Sequence, residues 1–397
     1  MATIRQDPVI CGTLLFAMAK KEPLPLIPVF RPSITEQEIQ AVCDVLRSGW
    51  LGLGPVTKEF EDALEEYFGV PEVVTLNSGT AALHLALRVL DIGPGDEVIV
   101  PTITFVSTAH VAEYCGAKVV FADIDEDTLC VNPDDVCRKI TPKTRAIFAV
   151  HYGGHPCEMD RLSDLAGARS IHLIEDAAHA CGASYRGIKI GALSPLTCFS
   201  FHAVKNLTCG EGGAVATMNP LFGKKLRELR WMGISKDTFS RSDPDRVYAW
   251  QYWVNELGYK YHLHDIGAAM GLVQLKRLDE NNRKRRAIVE RYNRAFEPHG
   301  WIERPPERPE VQSSWHIYHI KVPERDRLIA HLKRRAIAPG VHYYPIHMHP
   351  YYASHESQCP VAEEIWKRIL TLPLYPDMTD EEIERVIDAV ISFGDSL

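Results

Sequence analysis

Between residues 72 and 217, short and continuously apolar runs alternate with helical stretches, and this alternation constrains the fold more than any other feature of the chain. EVVTL (72–76) precedes the helical TAALHLALRVL (80–90). DEVIVP (96–101) precedes FVSTAHVAEYCG (105–116). KVVFADI (118–124), RAIFAV (145–150), SIHLIED (170–176), LTCFSF (196–201) and GGAVAT (212–217) read as further strands. Strands that are apolar on both faces need helices on both, which predicts an α/β fold around a mostly parallel sheet. Ligands of such sheets bind beyond the carboxyl ends of the strands.

The flanks are helical. TEQEIQAVCDVLRSG (35–49) carries its own boundaries: Thr35 as cap, Glu38 completing a capping box, Gly49 as terminator. A second helix covers 57–70. The long pattern over 265–296 bridges to a smaller α+β unit, built from SSWHIYHIKV (313–322), APGVHYYPI (338–346) and a last helix from Asp380. The expected division is an N-terminal extension over 1–25, a large domain over 26–275 and a small domain over 276–397. Met18 reads as an alternative start, with residues 1–17 dispensable.

Composition excludes several functions. The chain of 397 residues is 46% apolar and 24% charged, as expected of a soluble globular protein with two domains. A net charge of −8 with no basic stripe argues against a nucleic-acid partner. The basic run over 281–294, interrupted by Glu290, reads as a solvated helix face. Ten cysteines occur without a C-x-x-C pair, which gives no support to a zinc ribbon and fits reduced thiols in the cytoplasm. VICGTLLFAMA (9–19) is too short to span a membrane, and it follows Asp7 without a basic n-region.

Four features gather at expected strand ends. In LNSGTAALHLAL (76–87) a small turn opens directly into a helix, whose free amides and positive end favour an anion, although many strand-to-helix turns look alike. In LIEDAAHACGA (173–183), Glu175 and Asp176 end an apolar strand with no basic neighbour, a costly placement unless something positive meets them or one of them caps a helix. In CFSFHAVKNLTCGEGGAVAT (198–217), Lys205 is the single lysine between an apolar run and a glycine-rich turn. There it is either a solvated turn lysine or a desolvated amine fit for Schiff-base chemistry. Phe105 is either core packing or a face for a planar ring. One ligand would satisfy all four: a phosphate at residues 78–81 and Ser200, a protonated ring nitrogen at Asp176, a ring on Phe105 and an aldehyde on Lys205. That ligand is pyridoxal 5′-phosphate.

The succession NSGTAALHLAL, PTITF, DIDEDT, EDAAHACGA, FSFHAVKN, GEGGAV, GYKY and LPLYPDMT resembles the sugar aminotransferase family (DegT/DnrJ/StrS) over roughly residues 26–395. The resemblance implies an aspartate-aminotransferase-like fold (fold type I) and a homodimer with shared active sites. FSFHAVKN is similar to the branch acting on UDP-linked 4-keto sugars, with glutamate as amino donor. Carried over by position, Lys205 is the Schiff-base lysine and proton shuttle, and Asp176 the pyridine-nitrogen partner. Gly79, Thr80 and Ser200 sit at the phosphate, Phe105 on the ring, and His179 beside the phenolic oxygen. Where many members have Asn-Tyr-Arg reaching the partner subunit's phosphate, this chain has Lys260-Tyr261-His262, so Lys260 or His262 would make that contact. Family members acting as dehydratases carry His at the Lys205 position. VHYYPIHMHPYY (341–352) reads as a substrate wall through Tyr344 and His347, and its histidines as side chains of an aromatic loop, with no metal site expected. Competing readings are an inosose aminotransferase, an amino-acid lyase, or a regulator that binds the cofactor without turnover.

Overall fold

The computed structural model describes residues 24–236, 251–355, 357–395 and 397. The extension expected over 1–25, with its alternative start, lies outside them apart from Leu24 and Pro25.

Seven strands form the central sheet: β1 (Glu72–Leu76), β2 (Glu97–Pro101), β3 (Lys118–Ala122), β4 (Thr144–Val150), β5 (His172–Asp176), β6 (Leu196–Ser200) and β7 (Gly213–Thr217). Their order is β1-β7-β6-β5-β4-β2-β3. The pairs from β6 through β5, β4 and β2 to β3 are parallel, as the continuous apolar runs require. β7 runs antiparallel to both β6 and β1. Only a loop joins β6 to β7, and a return without a crossover element makes an antiparallel pair.

The helices of this part are α1 (Glu36–Ser48), α2 (Pro55–Phe68), α3 (Gly79–Val89), α4 (Ser107–Tyr114), α5 (Pro133–Lys139), α6 (Met159–Gly167) and α7 (Pro220–Arg230), and those from α2 to α7 pack on the sheet. The Thr35–Glu38 capping box starts α1, and Gly49 ends it in the left-handed region at φ 78°. Further on lie α8 (Asp265–Phe296), α9 (Arg325–Arg334), α10 (Pro360–Ile365) and α11 (Asp380–Gly394), with an antiparallel pair β8 (Tyr318–Lys321) and β9 (Ile369–Leu372).

Two apolar cores result. One surrounds the seven-stranded sheet. The other gathers Ile27, the C-terminal half of α8, the β8–β9 pair, α9 and α11. α8 serves both, with Ala268 and Leu278 in the first and Ile288, Tyr292 and Phe296 in the second. Helix α8 therefore runs unbroken across residue 275, and its 32 residues span about 48 Å at ~1.5 Å per residue. Residues 338–346 form an extended link with a single bridge, Gly340 to Thr371. Among the described residues no helix is long and apolar enough to cross a membrane.

Candidate active site

Three neighbouring parallel strands end side by side, β4 at Val150, β5 at Asp176 and β6 at Ser200, and all three end residues line one cavity of about 400 Å³. The turns after β1 and β2 add Ser78, Gly79, Thr80, Thr104 and Phe105. Lys205 rises into the cavity from the loop between β6 and β7.

Successive residues of a strand point to opposite faces, and this separates Glu175 from Asp176. Glu175 is fully buried away from the cavity. Its carboxylate accepts hydrogen bonds from Ser194 Oγ (2.7 Å) and Thr197 Oγ1 (2.9 Å). His151 Nδ1 accepts the Cys157 amide (3.1 Å), so the ring carries its proton on Nε2 and donates it to Glu175 (2.8 Å). Burial alone would raise the Glu175 pKa, but the bonds from His151, Ser194 and Thr197 prevail and hold it below the ordinary carboxylate value. Glu175 thus ties the sheet together.

Asp176 faces the cavity. Thr108, in the first turn of α4, donates to its Oδ2 (2.8 Å), and the Ala178 amide donates to Oδ1 (3.2 Å). Burial pushes its pKa up, against the pull of these two donors and of Lys205. Lys205 is only partly covered, because its side chain opens on the cavity, yet it lies deep in the protein. Desolvation lowers its pKa from 10.5 to about 8, with Asp176 working the other way. An amine near 8 beside a carboxylate has the electrostatics of a nucleophile and proton carrier.

Opposite them is a cradle for an anion. Ser78 caps α3, its hydroxyl accepting from the Ala81 amide (3.1 Å), and Gly79 and Thr80 begin the helix at the cavity wall. The first amides of a helix and its positive end suit a phosphate. A Cβ at Gly79 would stand 2.8 Å from Ser200 Cβ, so the close approach of turn and strand end depends on glycine.

The remaining wall joins His179 to residues from distant segments, Phe30, His316, His342 and Tyr343. Phe30 stacks on His316 (5.1 Å between centroids, 9° between planes). His179 lies 4.6 Å from His316 and nearly parallel to Tyr343, at 13°. The Gly153 amide donates to His179 Nδ1 (3.3 Å), and the Tyr343 hydroxyl sits 3.2 Å from its Nε2. His342 is held by Thr371 Oγ1 (2.8 Å). Burial, with Lys205 adding its positive charge, keeps His179 and His316 well below the ordinary imidazole pKa and brings His342 down to about 4. His179, His316 and His342 are therefore neutral imidazoles beside the Lys205 amine. The aromatic-histidine composition of 341–352 was the available signal for His342 and Tyr343; nothing local marked Phe30 or His316.

Other expected site residues lie elsewhere. Tyr344 packs edge-on against His349 and Trp366, outside the cavity. His347 is buried against Thr102 (2.6 Å) and Glu363 (3.2 Å). The wall of this region is therefore His342 and Tyr343, because the chain turns at Pro345 and carries His347 into the core beside β2. Lys260 lies over the Trp231 ring (3.2 Å), and the His262 backbone bridges to Leu76 at the end of β1. Neither lines the cavity of its own chain. Among the described residues no group of three His, Cys, Asp or Glu side chains is placed to hold a metal ion.

Residues 32–391 match the DegT/DnrJ/EryC1/StrS aminotransferase family, and the chain belongs to it. The spore coat polysaccharide biosynthesis protein SpsC of Bacillus subtilis is 40% identical over 92% of this chain and 96% of its own. Among solved structures, the PMP form of Spr1654 from Streptococcus pneumoniae, described as a sugar aminotransferase, superimposes with a TM-score of 0.88 at 35% identity. That match covers 93% of this chain and 99% of Spr1654. S. venezuelae DesV gives 0.87 at 35% identity, covering 94% of this chain and all of DesV. The sheet order and its helical cover agree with the fold type I expected from the sequence.

Proposed function

We propose that this member of the aminotransferase family uses pyridoxal 5′-phosphate to move the amino group of glutamate to a nucleotide-linked keto sugar, C4 of a UDP-4-keto sugar being the acceptor that the FSFHAVKN segment favours. The observation that carries the reading is the facing pair of Lys205 and Asp176 in one cavity, with a helix N-terminus across from them. The volume of about 400 Å³ lies in the ~300–1,000 Å³ range of small-molecule sites. The Gly79–Ser200 approach leaves a cradle that a side chain would fill.

When bound, the cofactor supplies an aldehyde that exchanges oxygen for a primary amine, and a ring that withdraws electron density. The α3 amides at Gly79 and Thr80, with Ser200, bind its phosphate. Asp176 holds a proton on the ring nitrogen, while Thr108 and the Ala178 amide keep that carboxylate aimed. Phe105 would cover a face of the ring, and His179, paired with Tyr343, would stand at its edge. Lys205 Nζ would be the amine that holds the aldehyde and, when free, the base that would take the proton from the donor's Cα. The same amine would return a proton to the carbon that receives nitrogen. A base so positioned contributes ~10²–10⁴ in rate. We place the reaction in the cytoplasm and in a homodimer, where Lys260 or His262 completes the partner subunit's phosphate site. Amino-sugar synthesis for a polysaccharide fits the role in the name of SpsC.

The test is amination followed by mass spectrometry, with glutamate and a panel of UDP-, dTDP- and GDP-linked 3- and 4-keto sugars. One aminated UDP-4-keto sugar is the expected product. 2-Oxoglutarate formed once per site, with no sugar product, would overturn the nucleotide-sugar assignment. No 2-oxoglutarate at all would overturn the transfer itself.

A further inference from the structure

Lys205 stands in a loop held at its base by main-chain bonds, Phe201 N–H to Gly212 O (2.8 Å) and Cys209 N–H to Phe201 O (2.9 Å). Its tip has one local bond, Lys205 N–H to His202 O (2.9 Å). The next residue, Asn206, turns the other way and is 4% exposed. Its Nδ2 donates to Asn282 Oδ1 on α8 (2.8 Å) and to Ser314 O (2.8 Å).

The orientation of this amide is forced. Asn282 gives its own Nδ2 to Cys181 O (3.1 Å), so its Oδ1 must face Asn206. Ser314 O is a carbonyl and only accepts. Both Asn206 hydrogens are thereby committed, and its Oδ1 is left buried without a partner. An orphaned buried acceptor costs stability, so the arrangement is not the one that packing alone would select. α8 itself lines no part of the cavity, but through Asn282 and Ser314 this network reaches two segments that do. Cys181 lies two positions after His179, and Ser314 two before His316, while the Ser314 hydroxyl donates to His179 O (2.8 Å).

We propose that Asn206 is a positioning residue: it locks the Lys205 amine in register with the His179 and His316 segments by bonding the loop to α8 and to Ser314. This rests on Lys205 being the reacting amine of the proposed function. Asn206 itself touches no reacting atom.

The variants are Asn206→Ala and, as a comparison, Asn281→Ala, a neighbouring asparagine on α8 that is equally buried and has no bond to Asn206. The readouts are kcat and KM for glutamate, the circular dichroism of the cofactor's visible band, and the melting temperature. Since a 1 Å misplacement of a reacting group can cost on the order of 10²-fold, Asn206→Ala should lower kcat by roughly 10-fold or more, with KM within about 3-fold. The visible dichroism, which reports the angle at which Lys205 holds the ring, should change in amplitude. Asn281→Ala should leave both at the wild-type value. Unchanged kcat and dichroism in Asn206→Ala would overturn the proposal, as would equal losses in both variants. Should Asn206→Ala not fold, Asn282→Ala removes one of the two bonds, and an unaltered dichroic band there would overturn it as well. An inactive wild type would strike the proposed function; the dichroism ratio between variants addresses Asn206 separately.

Discussion

Replacing Lys205 by methionine should stabilise the cofactor-free protein while abolishing amino transfer. Desolvation brings the Lys205 pKa from 10.5 to about 8. At ~1.36 kcal/mol per pH unit, keeping the ammonium in the cavity costs on the order of 3 kcal/mol. Removing the charge also strips Asp176 of its favourable neighbour, which raises the cost of that carboxylate. The net gain at pH 7 should therefore be roughly 1–3 kcal/mol. Its pH dependence is fixed by proton counts. Between about pH 8 and 10.5 the unfolded chain holds the Lys205 proton and the folded chain does not. Wild-type stability therefore rises with pH across that window, and the advantage of Lys205→Met shrinks there. Urea unfolding of both cofactor-free proteins at several pH values from 7 to 10 measures this. A variant less stable than wild type at pH 7, or a gap that stays constant with pH, would refute the reasoning.

Four further outcomes follow from the geometry. Glu175→Gln should destabilise the protein by ~2–4 kcal/mol, because an amide cannot accept all of the donors that meet the carboxylate, yet leave kcat per folded site near wild type. Asp176→Asn should instead lower kcat by ~10²–10⁴ with a much smaller change in melting temperature, and similar kinetic losses in the two would contradict the division between them. Gly79→Ala should weaken cofactor binding by about 10-fold or more, equivalent to ~1.4 kcal/mol, measured by equilibrium titration; its Cβ would stand 2.8 Å from Ser200. His347→Ala should cost ~1–3 kcal/mol of stability through Thr102 and Glu363 while Michaelis constants hold; a raised constant for the sugar would return His347 to the substrate wall.

The reach and the limits of the sequence reading have physical causes. The parallel part of the sheet was legible because strands covered on both faces must be apolar throughout. Lys205, Asp176, Ser200, Phe105 and the 78–80 turn could be singled out because each breaks a local pattern at a strand end, and the structure gathers them around one cavity. The unequal fates of Glu175 and Asp176 were latent in the pleat, but which face held the cavity depended on the neighbouring strands. Phe30 and His316 reach the cavity from segments far away in sequence, and no local periodicity encodes such an approach. Tyr344 and His347 were read as a wall from composition, whereas backbone direction decides which residues of a loop face inward, and it selected His342 and Tyr343.

The bond between the two ends of the chain has a consequence for synthesis. Ile27 is fully buried in the second core, its amide bonded to Ala336 O and its carbonyl to the Ala338 amide, and Leu374 N–H reaches Val29 O. Phe30, directly behind this splice, is one side of the cavity. At ~5–20 residues per second on the ribosome, about 15–60 s separate the emergence of Ile27 from that of Ala336. By the end of that interval the sheet and the strand ends bearing Asp176 and Lys205 have left the tunnel, while Ile27 still lacks its main-chain partners. A nascent chain can thus hold Asp176 and Lys205 before it can close the cavity around them.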